Sequence, residues 1–135
     1  MKHGIQFSLL LTLFALLNSC GHKHTATEIV LDNGKQWTAN PETTSGINNM
    51  IKIMDGFTST EENQDYKNLT SSLTDEFQLI FKNCTMQGEA HNQLHNFLLP
   101  MKEMFEGLKS KDSSVQKETF ETLKAHLKSY PNYFQ

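Results

Sequence analysis

Between residues 61 and 84, apolar side chains fall at Tyr66, Leu69, Leu73, Phe77, Ile80 and Cys84, at gaps of 3, 4, 4, 3 and 4. A helix turns once every 3.6 residues, so this spacing gathers all six on one face, while a strand would scatter them over two. The same rhythm recurs in three more segments. Residues 44–57 carry Ile47, Met50, Ile51, Met54 and Phe57; residues 89–108 carry His91, Leu94, Leu98, Met101, Phe105 and Leu108; residues 114–130 carry Phe120, Leu123 and Leu127. Each stripe needs partners, and the short links make sequential helices antiparallel neighbours. The expected fold is all-α, an up-down four-helix bundle. Ser113 and Ser114 can cap its last helix, Pro131 ends it, and Pro100 is placed to kink or split the third.

Ahead of the helices, residues 28–38 read as a small β-hairpin around Asn33-Gly34, a dipeptide that supplies the positive φ angles of a tight turn. A lone hairpin is marginal in water, so Ile29, Leu31 and Trp37 need a larger body to pack on.

The N-terminus has a different character. Lys2 precedes an apolar run at residues 7–17, FSLLLTLFALL, that is shorter than the roughly 20 residues a membrane-spanning helix requires. It ends in Leu17-Asn18-Ser19-Cys20, which resembles the lipobox of bacterial lipoproteins, where the cysteine is lipidated and becomes the first mature residue. The organisation expected is a signal peptide at 1–19, a polar tether at 20–27 carrying His22 and His24, and a helical domain with its hairpin at 28–135. Removal of the signal would leave 116 of the 135 residues and move the net charge from −3 to −4, because Lys2 goes with it. The acyl chains on Cys20 would hold the protein at a bacterial envelope membrane without a spanning segment.

Composition narrows the partners. All 12 basic residues are lysine, and arginine is the usual bidentate reader of phosphate and guanine, so nucleic acid is not an expected partner. Two cysteines cannot make a disulfide scaffold once one of them is lipidated, and Cys84 remains as an unpaired thiol in a compartment that favours disulfides.

That thiol opens the informative stretch, residues 83–101: NCTMQGEAHNQLHNFLLPM. His91 and His95 are four apart, one helical turn, and can reach one ion together. Gly88 lets the backbone turn tightly before them. Thiolate and thioether are soft ligands and imidazole suits copper and zinc, so Cys84, Met86, His91 and His95 fit copper or zinc better than calcium or magnesium. Folding the bundle back on itself puts Cys84 level with His91 across the turn. It also brings His126 level with about residue 97, beside His95, with residues 37–42 covering the same end. Asn83, Glu89 and Asn92 are candidate outer partners.

Asn33-Gly34-x-x-Trp37-x-x-Asn40-x-Glu42, joined to Cys84-Thr85-Met86-x-Gly88-x-x-His91-x-x-Leu94-His95, resembles a group of small lipoproteins of Bacteroidota-type bacteria whose function is not established. The resemblance implies an exported, helical, lipid-anchored protein. It also implies a further histidine or two near Pro100, where this chain has Leu99 and Met101, a departure that favours softer ligands.

The function expected is therefore binding or sensing of a transition metal, copper or zinc, through Cys84, His91 and His95 with Met86 or His126. Two alternatives stay open: a structural or protein-interaction lipoprotein in which these residues only pack, and a bundle holding haem non-covalently. Catalysis is not expected, since Cys84 and its histidines come with no evident orienting group or oxyanion site.

Overall fold

The computed structural model describes residues 28–59 and 62–135, so the expected export signal, Cys20, His22 and His24 lie outside the described residues. Four helices account for most of it: α1 Pro41–Asp55, α2 Glu62–Asn83, α3 Gly88–Leu108 and α4 Ser113–Lys128, with a short 3-10 turn at Tyr130–Asn132. None is both long and apolar enough to cross a membrane. α1 starts three residues earlier than the apolar spacing suggests, because Pro41 occupies its first turn, where a missing N–H costs nothing. α4 is capped by Asp112 rather than by Ser113 or Ser114: the Asp112 carboxylate accepts the Ser114 amide at 2.8 Å. Pro100 sits inside α3 without splitting it.

Cross-contacts give the direction of each helix. Asn49 meets Glu76 and Phe57 meets Tyr66, so α2 runs back along α1. Cys84 meets His91 and Phe77 meets Phe105, reversing the chain again between α2 and α3. Gln116 reaches the Leu108 carbonyl while His126 reaches that of Phe97, which makes α4 antiparallel to α3. The apolar stripes turn inward as their spacing requires: Ile47, Met50, Leu73, Ile80, Leu98, Met101, Leu108, Leu123 and Leu127 are all buried.

Two glycines decide how closely the helices approach. A Cβ on Gly46 of α1 would lie 2.5 Å from the Ile80 Cγ1 atom of α2, and one on Gly107 of α3 would lie 2.6 Å from the Thr119 hydroxyl of α4. Each marks a seam where side-chain bulk is excluded, α1 against α2 and α3 against α4. α2 and α3 have no such seam and leave a groove between them, lined by Phe77, Phe81, Leu99 and Phe105.

The expected hairpin reduces to its turn. Asp32 and Lys35 exchange two backbone hydrogen bonds of 2.9 Å around Asn33 and Gly34, whose φ angles are +50° and +84°, but no strand follows on either side. Trp37 pairs with the C-terminal residues instead. Its N–H donates to the Tyr133 carbonyl at 2.8 Å, its own carbonyl accepts from Gln135 at 2.9 Å, and the Ala39 N–H donates to the Gln135 carbonyl at 2.9 Å. The physical reason lies in Phe134 and Tyr130. Their rings stack at 5.0 Å, both are buried, and the segment that carries them must lie across the bundle end, where its edge meets Trp37.

Candidate functional site

The residues singled out by their chemistry sit where α2 passes into α3. Cys84 follows the last residue of α2 and Gly88 opens α3 with φ +61°, so the chain reverses in four residues. Asn40, just before α1, ties this corner down: its side-chain amide donates to the Asn83 carbonyl at 3.2 Å and to Glu42 at 2.8 Å, while its Oδ1 accepts from the Thr43 hydroxyl at 2.7 Å. The segment before α1 thus reaches the end where Cys84 lies.

Cys84 and His91 come together. The Sγ atom is 3.7 Å from Nδ1 of His91, and both residues are half-buried. His95 stands one turn further along α3, its ring centroid 4.4 Å from that of His91, the planes inclined at 56°. On its far side His95 meets Phe81 of α2 edge-on at 5.6 Å. Burial, and then the neighbouring His91, push the His95 imidazole below its ordinary pKa, which favours the neutral ring that a metal requires. Met86 is half-buried in the turn and packs against the core.

His126 does not join them. It is level with Phe97, as folding the chain back suggests, but on the other side of α3. Residues 95 and 97 are about 200° apart on a helix, so the height was readable and the side was not. The His126 ring stacks on Phe97 at 4.3 Å, and its Nε2 lies 2.8 Å from the Phe97 carbonyl, to which it donates. Asn83, Glu89 and Asn92 do not hold the histidines either. Glu89 accepts from Gln93 at 2.6 Å and from Asn92 at 3.1 Å, and these two bonds, Gln93 first, lower its pKa. Gln93 in turn accepts the Val30 amide at 2.9 Å, fastening the N-terminal segment to α3.

Tyr130 is a member of this neighbourhood that its sequence position does not announce. Its hydroxyl is 3.1 Å from that of Thr44, and its pKa is raised by burial first and also by the charge of Cys84 nearby. Among the described residues no group of three or more His, Cys, Asp or Glu side chains is gathered tightly enough to hold a metal. What is preformed is a pair, Cys84 with His91, and a third imidazole next to it. No protein-family model, curated protein or solved structure matches this chain, so its chemistry is argued from its own residues.

The histidines also set a pH response. Burial depresses the pKa of His126 more than its bond to Phe97 raises it, and His95 is depressed too. A depressed folded-state pKa means that the unfolded chain takes up the proton first as pH falls through about 6.5. The stabilisation is complete above that value and is lost on acidification. Asp55 stays out of this window, because hydrogen bonds and charge from Lys128 and Lys124 hold its carboxyl below the usual range. The thermal midpoint is expected to drop by roughly 2–5 °C between pH 7.5 and 5.5, with a flatter profile for His126→Gln. A midpoint that rises on acidification would show the sign to be wrong.

Proposed function

We propose that this chain is a lipid-anchored bacterial envelope protein that binds a soft transition-metal ion, copper(I) in the first place, through Cys84 and His91 with His95 as a third ligand. The observation that carries the reading is the 3.7 Å separation between the Cys84 sulfur and His91 Nδ1. With metal–sulfur and metal–nitrogen bonds of about 2.3 and 2.0–2.1 Å, two ligands at a tetrahedral angle stand about 3.5 Å apart. An ion can therefore enter between them with side-chain adjustments alone. Rotation of the adjacent His95 ring supplies a third donor, and the Met86 thioether is the alternative.

Ligand number favours copper(I) over zinc. Structural zinc wants four protein ligands and catalytic zinc three. Copper(I) is content with two or three donors, and one soft thiolate with one or two imidazoles offers that number. His126 is left out of the ligand set, since its Nε2 is engaged by the Phe97 carbonyl. The anchor rests on the lipobox-like Leu17-Asn18-Ser19-Cys20 and on the short apolar run before it.

The test is competition for copper(I) against a chromophoric chelator under reducing conditions. Wild type is expected to take one ion per chain. Cys84→Ala with His91→Ala is expected to bind at least about a hundredfold more weakly, each lost ligand removing a few kcal/mol of affinity. His126→Gln is expected to bind as wild type does. A double variant that folds normally and competes as well as wild type would remove the proposal. The anchor has its own check: Cys20→Ala should move the protein from the membrane fraction to the soluble fraction.

A further inference from the structure

The groove between α2 and α3 has a volume of about 500 Å³, inside the roughly 300–1,000 Å³ range of small-molecule sites. Its floor is apolar. Phe77 and Phe105 meet edge to face at 5.3 Å, and Phe81 joins Phe77 at 4.9 Å. Phe81 and Leu99 are 40% and 51% exposed, so two large apolar side chains face each other across one concavity, and none of the described residues covers them. Single exposed apolar residues are ordinary on a protein surface; their convergence in a concave site is not.

The rim is cationic at one point. Lys109 is committed to Glu106 at 2.7 Å, whereas Lys102, midway along the groove, has no ion-pair partner among the described residues. From His95 to Lys109 the α3 wall rises about 21 Å at 1.5 Å per residue. The shape is a trough with an oily floor and one uncommitted positive charge at its edge.

We propose that this groove binds a single-chain fatty-acid anion, its carboxylate paired with Lys102 and its chain lying over Phe77, Phe81 and Leu99. The charge pattern selects the occupant. One free cation matches one negative charge, and Glu106 on the same rim disfavours a dianion. A neutral apolar molecule would leave Lys102 unused, and a cationic amphiphile would meet it as a like charge. Of the proposed copper(I) ligands only His95 borders this groove, at its end; Cys84 and His91 do not line it, and the residues the proposal uses, Phe77, Phe81, Leu99 and Lys102, take no part in the copper(I) reading.

Titration of the delipidated full chain with dodecanoate, below its micelle concentration and followed by calorimetry, tests this. Saturable one-to-one binding is expected. Leu99→Glu should weaken it at least twentyfold, and Leu99→Gln should weaken it less; the position is exposed, and thermal unfolding checks that the fold is kept. Lys102→Gln should weaken dodecanoate about threefold to fivefold, the range of an exposed ion pair, and leave dodecanol unchanged. Absence of saturation, unaltered binding in folded Leu99→Glu, or an equal loss of dodecanol with Lys102→Gln each overturns the proposal. So does self-association of wild type that Leu99→Glu abolishes and dodecanoate does not compete with, since the occupant would then be a second copy of the chain.

Discussion

Truncating Phe134 to alanine is expected to cost about 3–5 kcal/mol of stability, a large share of the roughly 5–15 kcal/mol available to a domain of this size. The side chain is 2% exposed, stacks on Tyr130 and stands edge-on to Phe97 at 6.0 Å. Three backbone hydrogen bonds to Trp37 and Ala39 depend on the same segment staying in place. Loss of the ring leaves a cavity at the bundle end, and the surrounding helices can collapse only partly because α1 and α4 are already packed. Urea unfolding reads the effect as a fall in midpoint with an unchanged slope. A loss below 1 kcal/mol would mean that the C-terminal segment lies outside the cooperative unit.

Gly46→Ala is expected to destabilise by about 1–3 kcal/mol, against the gain of roughly 1 kcal/mol that alanine normally brings to a helix interior. The added methyl would sit 2.5 Å from Ile80 Cγ1, an atom near the root of a fully buried side chain that has no room to retreat. Gly107→Ala should be milder, because the clashing Thr119 side chain is only half-buried and can rotate. Combining Gly46→Ala with Ile80→Ala separates overpacking from other causes. The pair should be more stable than the sum of the single losses predicts, by about 1 kcal/mol. Strict additivity would show that the glycine is not there to let α2 approach.

The helices were legible because period and burial are the same fact: residues three and four apart share a face, and every stripe position from Leu69 to Ile80 is buried. Cys84 facing His91 was legible too, since a four-residue reversal leaves little freedom in how two antiparallel helices align. His126 marks the limit. Counting along the chain gives height, but the side of α3 it faces depends on the azimuth of α4, which packing decides. Phe97 keeps the rhythm of Leu94 and Met101, and Tyr130 and Phe134 continue that of Leu123 and Leu127, but Pro131 stops α4 before Phe134 and nothing local announces that residues 133–135 pair with Trp37. The groove was invisible for a similar reason. Gly46 and Gly107 close two of the helix pairs, and only by comparison with those seams does the α2–α3 side stand open.

The pairing of Trp37 with residues 133–135 also has a meaning in time. It joins positions almost a whole described chain apart, and closing so long a loop in an unfolded polymer costs about 4 kcal/mol of entropy before any contact repays it. Helices that already hold both ends near each other reduce that cost, so the latch shuts after the bundle has assembled. A late-forming contact leaves the rate of folding almost untouched and governs the rate of escape from the native state. Residues 133–135 are therefore expected to act as the brake on unfolding, which stopped-flow measurement on Phe134→Ala would read as faster unfolding with a nearly unchanged refolding rate.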